Sequence, residues 1–494
     1  MKQHPLIHKF KTVANHYVYD VNTNNIVRTN EILHDVIDGY GTIPFSAIAS
    51  KWAKKYDAKS IEQCLTHIQE SCKSQGVFSS NRPTVMKYPM CEHHFYESLQ
   101  GGLSDLTLNA TERCNLRCKY CTYSGAYYYE RHHSTEDMSW ETAKKAIDYF
   151  YSHTQSSEKV YMSFFGGEPL LNFDLVKRSV EYARGFANWP PIVFHLDTNG
   201  TTLSDEISGF LIENDVILQV SIDGPFEIHD RYRVFGNGGG TFHLVHKNLE
   251  RIRKMDRDYY ESRVSFAATL APPCELLETY RFFSSDDLVA KNNLNINFVD
   301  TYDTDFFRML HDRVRRSRLS EHLGALRKEY LEVTVGSNSG PAHQFLKGLF
   351  ERPLVRIHRR ALNPMGAHCP PNGICVPGVR RLFVDVAGRF YPCEKVGQAF
   401  CIGHVDTGIE HPKVRSLLEQ YIHGSTQDCT SCWAVRLCSL CLAQARRSRD
   451  LDFGRKKDNC SVERANLHDS LVLYAEIMER NPKAFDFVED MVFE

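Results

Sequence analysis

From Leu106 to Val299 the sequence alternates short apolar runs with amphipathic stretches, and this alternation restricts the fold more than any other feature. The runs Leu106–Ala110, Val160–Phe165, Ile192–Thr198, Val216–Ile222, Val264–Leu270 and Leu294–Val299 read as strands. Helices are predicted to start near Ser139, Phe173, Ser204, Phe242 and Cys274. Strand–helix units repeated in one direction imply an α/β fold, with a parallel sheet and right-handed crossovers.

The flanking regions differ. Residues 1–80 read as a separate unit: a hairpin (Val18–Val21, a turn at Asn22–Asn25, then Ile26-Val27) and three short helices. That arrangement predicts a winged-helix unit. Residues 81–104, with Pro83, Pro89, Gly101 and Gly102, read as a linker. After the sheet region (105–300), residues 301–365 read as a charged helical bridge. Residues 366–463 are Cys-rich and hold a hairpin, Leu382–Val386 with Arg389–Tyr391. Leu467, Leu471, Tyr474 and Met478 mark a closing helix in 464–494.

The charge balance excludes a globally basic nucleic-acid binder: 59 Lys+Arg against 61 Asp+Glu give a net charge of -2. No run of 18 apolar residues is present, and the N-terminal stretch lacks the apolar core of a signal peptide. A cytoplasmic protein is expected, with no membrane and no nucleic-acid partner. Its 16 cysteines are then expected to be reduced, which points to metal or redox chemistry rather than disulfides.

Cys114-Asn-Leu-Arg-Cys118-Lys-Tyr-Cys121 directly follows the first strand. Three thiolates on one loop can ligate three irons of a four-iron cluster and leave the fourth open. Structural zinc normally takes four ligands, so three fit it poorly. Three further motifs follow later strands: Gly166-Gly167-Glu168-Pro169, Thr198-Asn199-Gly200 and Ser221-Ile222-Asp223-Gly224-Pro225, with Arg233 beyond. Each alone could be a turn. All fall where the active sites of parallel barrels assemble, at C-terminal strand ends.

In these motifs the chain resembles the radical SAM enzymes. The resemblance implies a partial (β/α)6 TIM-like barrel whose open iron chelates S-adenosylmethionine. It places the methionine ammonium at Gly166, Gly167, Glu168 and Pro169. It makes Asn199, Ser221 and Arg233 candidates for the methionine carboxylate and ribose, with Asp223 in the same cofactor-binding set, and puts Tyr120 near adenine.

The Cys-rich region holds Cys369-x5-Cys375-x12-Gly388-x4-Cys393, then Cys429-x2-Cys432-x5-Cys438-x2-Cys441 and Cys460. It resembles a SPASM domain, the auxiliary-cluster module of many peptide-modifying radical SAM enzymes. By that resemblance Cys369, Cys375, Cys393 and Cys441 bind one auxiliary 4Fe–4S cluster, and Cys429, Cys432, Cys438 and Cys460 a second, making three clusters in all. One departure is that only Ser439-Leu440 separate Cys438 from Cys441, where the usual pattern has three residues. Paired C-x2-C motifs are also zinc-ribbon signatures, so two zinc sites remain the alternative.

Residues 1–80 resemble the recognition element of enzymes that modify ribosomal peptides, which adds a leader peptide to a sheet edge. The 432–438 segment and the Arg381–Cys393 hairpin resemble thioether-forming maturases of the sactipeptide and ranthipeptide type. The expected activity is Cys sulfur-to-carbon crosslinking of a Cys-rich precursor peptide, with flavodoxin or ferredoxin as electron donor. The alternatives are formylglycine formation in a sulfatase, carbon–carbon peptide crosslinking, or a zinc-bearing DNA-binding regulator.

Overall fold

The computed structural model describes residues 4–88, 92–128, 130–186, 188–301, 303–310, 313–336, 343–447 and 450–489. At its N-terminus three antiparallel strands, β1 (Ile7–Lys11), β2 (His16–Asp20) and β3 (Asn25–Thr29), precede three helices, α1 (Glu31–Val36), α2 (Phe45–Trp52) and α3 (Ala58–Gln75). The β2–β3 turn forms because Asn24 takes a left-handed conformation (φ 62°) and Asp20 Oδ2 accepts the Thr23 amide at 3.0 Å. Asn30 and Asp57 cap α1 and α3, and left-handed Gly76 ends α3. Val18, Val36, Ile37, Ile48, Ile61, Leu65 and Ile68 give the unit its own core. Strand β1 was not evident in the sequence. It shares with β2 and the β2–β3 turn the contacts to the rest of the chain: His8 stacks on Trp433 at 3.6 Å, Thr12, just beyond β1, donates to Glu479 at 2.7 Å, and Asn24 donates to Ala361 O at 3.0 Å.

The stretch expected to be a linker holds a two-residue strand, β4 (Val85–Met86), and a helix, α4 (Glu92–Gly101). The apolar runs then become six parallel strands in sequence order: β5 (Asp105–Thr111), β6 (Val160–Gly166), β7 (Ile192–Thr198), β8 (Ile217–Ser221), β9 (Val264–Leu270) and β10 (Asn293–Phe298). Between them lie α5 (Trp140–Ser152), α6 (Phe173–Arg184), α7 (Asp205–Glu213), α8 (Phe226–Tyr232), α9 (Phe242–Met255), α10 (Arg257–Arg263) and α11 (Leu276–Ser285). Ser139 and Ser204 cap α5 and α7 through their side chains, where the sequence placed the helix starts. Along the strands buried residues alternate with half-buried ones. Val160, Met162 and Phe164 join a core with Ala146, Ile147, Phe150, Val176 and Val180. The fold is the α/β, partial-barrel architecture expected.

Two helices follow, α12 (Arg313–Val335) and α13 (Gln344–His358), and α13 packs on β10. The Cys-rich region then returns to the barrel. Its strand β11 (His368–Cys369) pairs in parallel with β4, so the supposed linker is tied down. Strand β12 (Arg381–Val384) lies parallel to β5, with Arg381 opposite Asp105 and Val384 opposite Leu108. Strands β13 (Arg389–Tyr391), β14 (Gly403–His404) and β15 (Gly408–Ile409) continue antiparallel, giving a ten-stranded sheet. Helices α14 (His411–Cys429), α15 (Leu442–Ala445) and α16 (Phe453–Arg480) complete the fold. Helix α16 begins at Phe453, capped by Asp452. It therefore runs through residue 463, where a boundary was expected, and carries Cys460. No described helix is long and apolar enough to cross a membrane.

Candidate active site

A cavity of about 720 Å³ opens at the C-terminal ends of β5–β10. Cys114, Cys118 and Cys121 line it, together with Tyr120, Gly166, Gly167, Glu168, Asn199, Ser221 and Arg233. Two of the expected cofactor residues stand behind the wall. Pro169 is buried and opens a short helical turn, and Asp223 is buried beneath Arg233.

The cysteine loop is placed by glycines. Gly167 N donates to Thr111 O and Glu168 N to Arg113 O, each at 2.8 Å. A Cβ on Gly166 would stand 2.3 Å from Thr111 O, and one on Gly167 would stand 2.1 Å from Arg113 O. Gly166 is also at φ 150°, so neither position accepts a side chain. Backbone amides point at two of the sulfurs: Leu116 N to Cys114 Sγ and Tyr123 N to Cys121 Sγ, both at 3.4 Å. Burial pushes the thiols of Cys114 and Cys118 up to about 11 and about 12 and raises that of Cys121.

Glu168 is fully buried. Its Oε1 accepts from Thr198 Oγ1 (2.7 Å) and Leu170 N (3.2 Å), and its Oε2 accepts from Asn199 N (2.7 Å). Those bonds fix its direction, but burial dominates and raises the carboxyl to about 7. Such a group calls for a cation, and the ammonium of S-adenosylmethionine would meet that need. Asn199 Nδ2 reaches Cys114 Sγ at 3.9 Å and Asn115 Oδ1 at 2.9 Å, linking the third strand end to the cysteine loop.

Asp223 organises the opposite wall. It accepts the Tyr120 hydroxyl and the Thr269 amide (3.0 Å), and Arg233 Nε lies 3.1 Å from its Oδ1 without aiming its N–H along that line. The Arg233 guanidinium sits 5.7 Å from the Tyr120 ring centre. Tyr120 is buried against Tyr232 and Phe306, leaving an aromatic surface suited to a purine.

Sequence reasoning missed the polar floor of the cavity. Asp197, Gln219, Thr269 and Asn297 line it from four successive strands. Their signal was present: they are the polar members of period-two strands whose alternate residues are apolar. The far wall comes from the Cys-rich region, with Glu394, Lys395, Gln444, Arg446 and Asn459.

The remaining cysteines separate in space. Cys429, Cys432, Cys438 and Cys460 line one small cavity, with Lys456 Nζ 3.5 Å from Cys429 Sγ. Cys441 bears electrostatically on Cys375 and Cys393. Cys369 instead feels Cys429 and Arg436, and its thiol rests 3.9 Å from the Met86 sulfur. The fifteen described cysteines are all free of disulfides. No three described cysteine sulfurs lie within 4.8 Å of one another.

Residues 108–272 match the Radical SAM superfamily, so the barrel with its cysteine loop is a radical SAM domain. An uncharacterized protein of Methanocaldococcus jannaschii is 28% identical over 318 residues, 64% of this chain and 94% of that protein. The serine-type anaerobic sulfatase-maturating enzyme of Bacteroides thetaiotaomicron is 32% identical over 175 residues, 35% of this chain and 41% of that enzyme. The cysteine-type anaerobic sulfatase-maturating enzyme of Clostridium perfringens strain 13 is 25% identical over 365 residues, 70% of this chain and 90% of that one. In fold the chain is similar to native anSMEcpe with bound AdoMet, with a TM-score of 0.54 and 21% identity, covering 79% of this chain and 100% of that one.

Proposed function

We propose that this chain is a radical SAM peptide maturase that joins a cysteine sulfur to a carbon of a Cys-rich precursor peptide. The observation that carries the reading is the composite cavity. The radical SAM cysteines, the polar strand floor and the wall from the Cys-rich region enclose one space of about 720 Å³. A space of that size lies in the range of cofactor and ligand sites, and the two regions of the chain that wall it would bring a substrate segment beside the cofactor.

Cys114, Cys118 and Cys121 would hold the cluster that binds S-adenosylmethionine. Cys375, Cys393 and Cys441, with Cys369 the fourth candidate, and Cys429, Cys432, Cys438 and Cys460 would hold two auxiliary clusters. When bound, S-adenosylmethionine and the clusters supply a carbon radical that takes one hydrogen atom from the substrate, and a sink for one electron. The residues bind, orient and enclose. Glu168 would receive the methionine ammonium, Asn199 and Ser221 would hold its polar end, and Tyr120 would back the adenine. Asp223 fixes Arg233 for the carboxylate or ribose. Forming the sulfur–carbon bond removes one hydrogen atom from carbon, then one proton and one electron. The product therefore carries two hydrogens fewer and keeps its sulfur.

The N-terminal unit supports a peptide substrate carrying a leader. Its sheet ends at β3, whose outer edge has no strand partner among the described residues, while β1 faces α16. An open edge beside helices is the geometry for strand addition. A reduced donor such as flavodoxin or ferredoxin would deliver the initial electron.

Formylglycine formation is the second reading, favoured by the sulfatase-maturating relatives. Mass spectrometry of a Cys-bearing precursor after anaerobic turnover separates the two. A product two hydrogens lighter with sulfur retained supports crosslinking, and loss of the cysteine sulfur supports formylglycine. Replacing Cys114, Cys118 and Cys121 by Ala should abolish 5′-deoxyadenosine release in either case.

A further inference from the structure

A second cavity, of about 640 Å³, lies where α13, the 361–372 segment and the β2–β3 turn meet. Arg352, Arg356, Arg359, Arg360 and Arg436 line it; Cys369, which bears on Arg436, is also on its wall, and none of its lining residues is an Asp or Glu. The first four are spaced i, i+4, i+7 and i+8, so they share one face of α13 and its C-terminal end. Cations at a helix C-terminus complement its dipole, which accounts for Arg359 and Arg360. It does not account for Arg352 and Arg356, which stand further back along the helix, or for Arg436, which comes from the 432–438 loop.

The hydrogen bonds of Arg356, Arg360 and Arg436 leave their charge standing. Arg436 Nη1 donates to Asn22 O (3.0 Å) and Asn363 O (2.6 Å), and its Nη2 donates to Ala361 O (3.2 Å). Arg360 donates to Asn24 O (2.7 Å) and Ile357 O (2.6 Å), and Arg356 to Leu437 O (3.4 Å). These acceptors are neutral, so they orient the guanidinium groups without cancelling charge. Two acids outside the lining act on these arginines, Glu463 on Arg356 and Asp20 on Arg436, and offset part of their charge. Glu463 Oε1 accepts from Ser439 N (2.7 Å) and Ser439 Oγ (2.8 Å), and buried Asp20 accepts from Thr23 and from Phe78 N (3.2 Å). Burial, with Arg352 adding to it, holds the Arg356 guanidinium below its usual range.

The shape of the array selects its ligand. Arg352 to Arg359 span about 10 Å along the helix at about 1.5 Å per residue. That is about three residues of extended chain at about 3.3 Å each. A row of planar, fork-shaped donors suits the carboxylates of alternate residues in an extended chain better than one small anion. Asn24, from the N-terminal unit, stands on the same lining. We propose that this cavity binds an acidic stretch of the substrate peptide through its arginine row, an inference that rests on the peptide-maturase reading above.

The test uses the full-length, anaerobically reconstituted protein and a fluorescein-labelled hexaglutamate peptide, read by anisotropy at low salt. Wild-type protein should bind it, hexalysine should not, and added salt should weaken binding. Arg352→Glu with Arg356→Gln should weaken it about tenfold or more, since two charge-assisted contacts are lost. Arg352 is exposed, so Arg352→Glu alone keeps the fold and should still weaken binding about threefold. Equal binding by wild type and Arg352→Glu, or displacement of the probe by inorganic phosphate at equal potency, would overturn the proposal. Probe binding does not depend on chemistry. Lost probe binding in the variants alongside a formylglycine product sinks only the crosslinking reading. Crosslinking with no arginine-dependent probe binding sinks only this one.

Discussion

Arg446 Nε donates to Glu130 Oε1 across 2.9 Å, and each side chain is little more than a tenth exposed. The pair joins the Cys-rich region to the barrel loop that follows the radical SAM cysteines, on the wall of the composite cavity. Arg455, paired with Asp303, makes a second such tie. A part-buried pair that loses one partner leaves a charge only partly compensated, at a cost below that of a fully buried pair, about 3–5 kcal/mol. Arg446→Met should lower the melting temperature and speed hydrogen exchange around Glu130. In a double-mutant cycle with Glu130→Gln the two losses should fall short of additive by about 2 kcal/mol. Strict additivity would show that the pair does not hold the two regions together.

Glu168 makes the stability of the ligand-free protein depend on pH. Its carboxyl is raised to about 7 by burial, above the value of about 4.3 that it has when unfolded. The folded state therefore holds this proton more tightly, and stability falls as pH rises from about 4.5 to about 7. The full effect is on the order of 3 kcal/mol. Urea unfolding across that window should show a shallower decline for Glu168→Gln than for wild type. Matching slopes would mean that Glu168 is ionised in the fold at little cost.

The fold class was legible in the sequence, and the candidate site is written there in local signals, whereas the long-range pairings around it are not. The cysteine loop, Gly166-Gly167-Glu168 and Asn199 are local signals, each written within a few residues at a strand end. The pairing of β12 with β5 is not local: Arg381 meets Asp105 across most of the chain, and nothing in either short strand specifies that partner. Val85-Met86 is likewise a strand only because His368-Cys369 lies beside it. Proline and glycine made residues 81–104 read as a linker, and tertiary pairing overrode that signal. The cavity floor escaped notice because Asp197 and Gln219 lie inside the runs Ile192–Thr198 and Val216–Ile222, which were read whole as strands, without asking which side chains face inward.

Gly167 tests how tightly the barrel holds its cysteine loop. A methyl group there would meet Arg113 O at 2.1 Å, one residue before Cys114. Gly167→Ala should move that backbone and lose about four irons per chain on reconstitution, one cluster's worth. Gly209, in α7, has nothing within 4 Å of an added Cβ. Gly209→Ala should keep all iron and gain up to about 1 kcal/mol of stability from helix propensity. Full iron and turnover in Gly167→Ala would show that the loop adapts.

Arg131 links the two cysteine-bearing regions through a different contact. It is 1% exposed, and its guanidinium lies 4.5 Å from the Phe383 ring centre and 4.6 Å from that of Tyr391. Its Nη1 donates to Val396 O at 3.0 Å and Glu394 O at 3.3 Å, so it grips the backbone just after Cys393. A desolvated cation–π contact is worth about 2 kcal/mol, and the carbonyl bonds add to it. Removing the side chain frees the loop that carries Cys393 while leaving Cys114, Cys118 and Cys121 in place. Arg131→Met should therefore lose iron from the auxiliary region yet still release 5′-deoxyadenosine without peptide. Arg131→Lys should not restore the iron, because an ammonium group cannot stack between two rings and hold two carbonyls as a planar fork does. If Arg131→Met keeps its full iron content, the Cys393 loop is held by the β12–β13 pairing alone. Loss of 5′-deoxyadenosine release together with the iron would mean that Arg131 supports the barrel cluster as well.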